Sequence, residues 1–109
     1  MLIPFPEMEY EVLHNLRDGK NDTHMKRFLT DNKKVLFTRL EPGCSIGVHT
    51  HDVDCETYFY VSGTGKVCCD GEWEPVKPGY AHHCPKGHSH GIENTGDEDL
   101  LFFALISEE

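Results

Sequence analysis

Punctuation limits the fold of this chain more than any other feature. Turn-forming residues cluster at Asp18-Gly19, Glu41-Pro42-Gly43, Ser62-Gly63-Thr64-Gly65, Asp70-Gly71, Lys77-Pro78-Gly79, Pro85-Lys86-Gly87 and Asn94-Thr95-Gly96-Asp97. Gly and Asn tolerate positive φ, and Pro pre-sets the first corner of a turn, so each cluster interrupts whatever precedes it. The segments between them suit strands. Val35–Leu40, Thr57–Val61 and Leu100–Ile106 are apolar or alternating, and Met25–Leu29 is a further candidate. Lys66–Cys69 and Trp73–Val76 flank Asp70-Gly71 as the two arms of a hairpin. After residue 30 nothing sustains a helical period over three turns, and before it only Tyr10, Leu13 and Leu16 suggest a short helical face. An all-β fold, an antiparallel sandwich or barrel, is expected, with residues 1–30 as an N-terminal arm packing on it and residues 31–109 as the domain proper.

The chain has 109 residues and a formal charge of −9 with histidines neutral, which suits one domain and disfavours a nucleic-acid partner. No apolar run is long enough for a transmembrane helix. Met1-Leu2-Ile3-Pro4-Phe5-Pro6-Glu7 lacks the basic start of a secretory signal, so a cytoplasmic protein is expected. The five cysteines are odd in number, include the adjacent pair Cys68-Cys69 and form no C-x-x-C. They are expected to be reduced thiols that pack as small hydrophobes.

Of the eight histidines, six lie between His49 and His90. On a strand, His49 and His51 point to one face about 6.6 Å apart, close enough to share an ion. Asp52-Val53-Asp54-Cys55 is polar enough to turn, so that Glu56 could return on the next strand to the same ion. His90, after Pro85-Lys86-Gly87, could supply a fourth ligand. An H-x-H pair alone also occurs on exposed strands, so the weight rests on the full spacing.

That spacing is Gly43-x5-His49-x-His51-x4-Glu56-x6-Gly63, followed by Gly79-x5-Pro85-x-Gly87-x2-His90-x3-Asn94. Both halves resemble the two motifs of the cupin superfamily, over residues 35–106, and the stretch from His88 to Glu98 is similar to that of small single-domain bacterial cupins. The resemblance implies a double-stranded β-helix, a jelly-roll-like barrel of two antiparallel sheets open at one end. It also implies His49, His51, Glu56 and His90 as ligands of one divalent transition metal per subunit, whether Mn, Fe, Ni, Co, Cu or Zn.

Alternation from Glu56 places Tyr58 and Tyr60 on the ligand face, with Tyr60 deeper, and Phe59 and Val61 on the other face. Tyr58 is therefore a pocket candidate. His82 and His83 are adjacent, so one points inward; His82 and His88 are carried as further pocket candidates, and no catalytic residue is assigned. An open metal of this kind can polarise a carbonyl or hydroxyl, giving isomerisation or epimerisation, or can support dioxygenase or decarboxylase chemistry. The function expected is therefore metal-dependent action on a small oxygen-bearing molecule. The alternative is a non-catalytic cupin that binds a metal and a small ligand as a sensor or storage module. Phe59 and Val61, apolar on the outer face, point to a homodimer.

Overall fold

The computed structural model describes residues 1–108; Glu109, the end of the expected domain, lies outside the described residues. Ten strands follow one another: β1 Glu11–His14, β2 Asp22–Leu29, β3 Lys33–Leu40, β4 Ser45–Thr50, β5 Asp54–Ser62, β6 Gly65–Cys69, β7 Glu72–Val76, β8 Ala81–Cys84, β9 Ser89–Glu93 and β10 Leu100–Glu108. They form two antiparallel sheets, ordered β1-β2-β3-β10-β5-β8 and β4-β9-β6-β7. The expected strands and the hairpin about Asp70-Gly71 are present, with Lys66 opposite Pro75 and Cys69 opposite Glu72.

Alternation fills the space between the sheets. Leu36, Thr38 and Leu40 of β3, Tyr58 and Tyr60 of β5, and Leu100, Phe102 and Ala104 of β10 are buried, and Ile46, Val67, Val76 and Ile92 meet them from the smaller sheet. A fully buried side chain such as Leu40 or Phe102 contributes about 2–3 kcal/mol of burial free energy. Asn94 is buried as well. Its amide donates 2.8 Å hydrogen bonds to the Leu40 and Glu98 carbonyls and its Oδ1 accepts from the Gly96 N–H at 2.9 Å, tying the end of β9 to β3. All five cysteines are free, and four of them are buried.

The first 30 residues divide. Phe5 packs on the outer face of the larger sheet against Phe37 and Phe103, while Lys26 Nζ donates to the Phe5 carbonyl at 2.8 Å. Residues 11–14 and 22–29 are strands of that sheet, and Met25 enters the core. The short helical face suggested by Tyr10, Leu13 and Leu16 is absent. Pairing of β1 with β2 outweighs it, leaving one 3₁₀ turn at Leu16–Asp18.

Candidate metal centre

β4 enters with Ile46 in the core, and strict alternation from there would turn His49 outward. It does not, because the pairing of β4 with β9 slips between Ile46, opposite Ile92, and His49, opposite His90. Three residues of β4 advance against two of β9, a β-bulge at Gly47-Val48 that re-aims the rest of the strand. Downstream of it His49 and His51 both face inward. Glu56 arrives from β5 and His90 from β9, so that one donor atom from each of the four side chains lies within 4.8 Å of the others.

Three of these donors form a nearly equilateral triangle. His51 Nε2 is 3.0 Å from Glu56 Oε1, His90 Nε2 is 2.9 Å from the same oxygen, and the two Nε2 atoms are 2.9 Å apart. Donors bound about 2.1 Å from one ion at right angles are separated by about 3.0 Å, so these edges fit a common divalent ion. The outer ring nitrogens fit it too. His49 Nδ1 donates to the Gly47 carbonyl at 2.8 Å, His51 Nδ1 to Asp54 Oδ1 at 2.6 Å, and His90 Nδ1 lies 3.0 Å from His82 Nε2. With each Nδ1 engaged, the Nε2 atoms are left to face the cluster, the arrangement by which metal-ligating imidazoles are oriented.

The charges in the cluster follow from the same geometry. Burial alone would raise the Glu56 carboxyl, but hydrogen bonds from His51 and His90 overcome it and hold its pKa at about 2. The hydrogen bond to Glu56 raises His51 despite desolvation, whereas desolvation lowers His49. Desolvation first, then the neighbouring His90, lowers His82 to about 4. His82 is thus neutral at physiological pH, and its Nε2 can accept a hydrogen bond from His90 Nδ1–H.

Tyr58, as parity indicated, lies beside the cluster, its ring stacked on that of His90 with centroids 5.0 Å apart. Burial, then the charge of Glu56, keeps its hydroxyl protonated. The other two pocket candidates lie elsewhere. His82 points inward, but it stands behind His90 and does not line the cavity described below; His83 points outward to Thr57 Oγ1. His88 is exposed and pairs with Asp70 across the neighbouring turn, outside the cavity. Asp54 was missed, although its place three residues after His51 was visible in the sequence.

A cavity of about 220 Å³ opens onto His49, His51, Glu56 and Tyr58. Leu13, Leu16, Met25, Leu36, Ile46 and Ile106 give it apolar walls, and the exposed side chains of Arg17, Arg27 and Lys34 stand at its rim. No sequence pattern joined these three cations, because they come from a loop and two strands that only the fold brings together.

Two antiparallel sheets enclosing three histidines and a glutamate around one point define a double-stranded β-helix with a candidate metal centre. The chain belongs to the cupin family, whose domain model matches residues 36–106. It is 37% identical, over 97% of its length and 93% of the relative's, to a Thermotoga maritima protein named oxalate-binding protein. The crystal structure of a predicted oxalate decarboxylase from Thermotoga maritima superposes with a TM-score of 0.95 at 32% identity, each chain covered completely. A 5-nitrosalicylic acid 1,2-dioxygenase from Bradyrhizobium is 33% identical over 61% of this chain but only 31% of its own.

Proposed function

We propose that the chain holds one divalent transition metal (Mn, Fe, Ni, Co, Cu or Zn) on His49, His51, Glu56 and His90, and that it takes a small oxygen-bearing molecule from the adjoining cavity. The convergence of four donor atoms within 4.8 Å carries this proposal. A bound ion would supply Lewis-acid polarisation of a carbonyl or hydroxyl, the chemistry of isomerases, epimerases, dioxygenases and decarboxylases. The chain's own part is to orient the donors through Gly47, Asp54 and His82, and to keep Tyr58 protonated as a hydrogen-bond donor beside the ligand.

A second proposal, non-catalytic binding of metal and ligand as a sensor or storage module, is supported by the oxalate-binding name of the relative that matches nearly end to end. Elemental analysis of protein purified without a metal-chelating column tests the centre itself; less than stoichiometric metal after reloading would rule it out. Turnover of a panel of sugars, diketones, catechols and oxalate by the loaded protein then separates the two, since binding without turnover supports the second. Five free cysteines support a reducing, cytoplasmic setting.

We also propose a homodimer. Phe59 and Val61 are each 48% exposed on the outer face of the larger sheet, next to Phe103, and a second copy laid on that face would cover them. Sedimentation at micromolar concentration should give twice the 12.4 kDa chain mass; a monomer alone would exclude it.

A further inference from the structure

The rim of the cavity is charged opposite to the chain that builds it. The protein has a formal charge of −9 and ten lysines and arginines, yet Arg17, Arg27 and Lys34 stand around this opening, and among the described residues that line it Glu56 is the sole carboxylate. Glu11 engages Arg27 through two hydrogen bonds of 3.0 and 2.8 Å. Arg17 and Lys34 form no ion pair among the described residues.

Arg17 is held in place against its backbone preference. Its φ is +55°, in the left-handed region that a long side chain seldom adopts. Asn15, Asp18 and Asn21 of the same loop share that region. The loop is clamped to β4: Lys20 N–H donates to Ser45 Oγ at 2.8 Å and Ser45 N–H to the Lys20 carbonyl at 3.0 Å. Gly47 allows the closest approach, since a Cβ there would collide with the Arg17 carbonyl. The strand that carries His49 therefore also seats the loop that carries Arg17. Non-glycine strain persists where the surrounding structure over-determines it, and such places cluster at ligand sites.

We infer that the ligand is a carboxylate with an apolar body. Its oxygen-donor end meets the His/Glu cluster, its body lies against Leu13, Leu16 and Ile46, and its carboxylate is held at the rim by Arg17 with Lys34. This rests on the metal-dependent function proposed above and narrows it. The oxalate dianion has no apolar part to set against those walls, and a neutral diol or sugar has no charge for Arg17. In a chain this acidic, a local cationic rim is also what an anion needs in order to approach.

Catechol and 3,4-dihydroxybenzoate differ by the carboxylate alone, and calorimetry on the full-length, metal-loaded protein compares them. The acid is expected to bind about tenfold more tightly, the effect of one charge-assisted contact. The preference should collapse in Arg17→Gln and be largely kept in Arg17→Lys, with metal content unchanged in both. Raising the salt concentration should weaken the acid and leave catechol unaffected. Equal affinity of the two probes for the wild-type protein, a preference that survives in Arg17→Gln, or failure of both to bind would overturn the inference. So would oxalate binding as tightly as the acid and independently of Arg17. A wild-type protein that takes up no metal would instead defeat the function proposed above, and the acid-to-catechol ratio, read in the same titration, would still decide the role of Arg17.

Discussion

Glu56 is 4% exposed, 3.0 and 2.9 Å from two imidazoles, and supplies the one anionic donor of the cluster. Its carboxyl is depressed from 4.5 to about 2. The stability it contributes is therefore present above about pH 4.5 and is lost as pH falls toward 2, a contribution on the order of 3 kcal/mol at neutral pH. Glu56→Gln keeps the size and removes the charge. Metal affinity is expected to fall more than tenfold, and the metal-free protein should also melt lower; unchanged occupancy by elemental analysis would count against Glu56 as a ligand. The four candidate ligands were legible in the sequence because H-x-H and the following Glu are local, and because His90 is announced by the turn before it. His88 and His82 show the limit of parity. Parity chooses a face, but His82 is screened from the cavity by His90, and His88 is drawn to Asp70 by a turn that parity does not describe.

At the scale of the element, the bulge in β4 decides where the histidines point. Gly47 marks it and also accepts the Arg17 loop, so one residue serves both the cluster and the rim. Gly47→Ala would force a Cβ into the Arg17 carbonyl, and we expect a loss of about 1–3 kcal/mol in stability, the usual cost of overpacking. Metal affinity should fall with it, read by competition with a chelating dye; a variant unchanged in both would show that the loop gives way freely. Alternation placed Tyr58 and Tyr60 inside and Phe59 and Val61 outside, because β5 runs regularly from Glu56 to Tyr60. Helical spacing misleads over residues 10–16, where Leu13 and Leu16 share a cavity wall through strand pairing and a 3₁₀ turn. Their spacing matches a helix, and only the long-range contact with β2 distinguishes the two outcomes.

For the whole molecule, the proposed ion on His49, His51, Glu56 and His90 would join the two sheets and bind only the folded chain, and so would stabilise by linkage. Imidazole ligates only when neutral, so protons compete with the ion as pH falls below the ordinary histidine value of about 6.5. That stabilisation is present above about pH 6.5 and is lost as pH falls below it. Chelator should therefore lower the melting temperature clearly at about pH 7.5 and hardly at all at about pH 4.5. His90→Ala should abolish the difference, and His14→Ala, at an exposed histidine paired with Asp22, should leave it intact. Equal shifts at both pH values would contradict the assignment. In the larger sheet β10 lies between β3 and β5 although it follows both in the chain. As the chain emerges from the ribosome, β3 and β5 present unfilled edges to each other across a vacant lane until residues 100–108 have been made. Unpaired apolar edges invite other chains. The larger sheet is thus most exposed to aggregation before residues 100–108 have been made, and a chain cut short before Leu100 leaves it split down the middle.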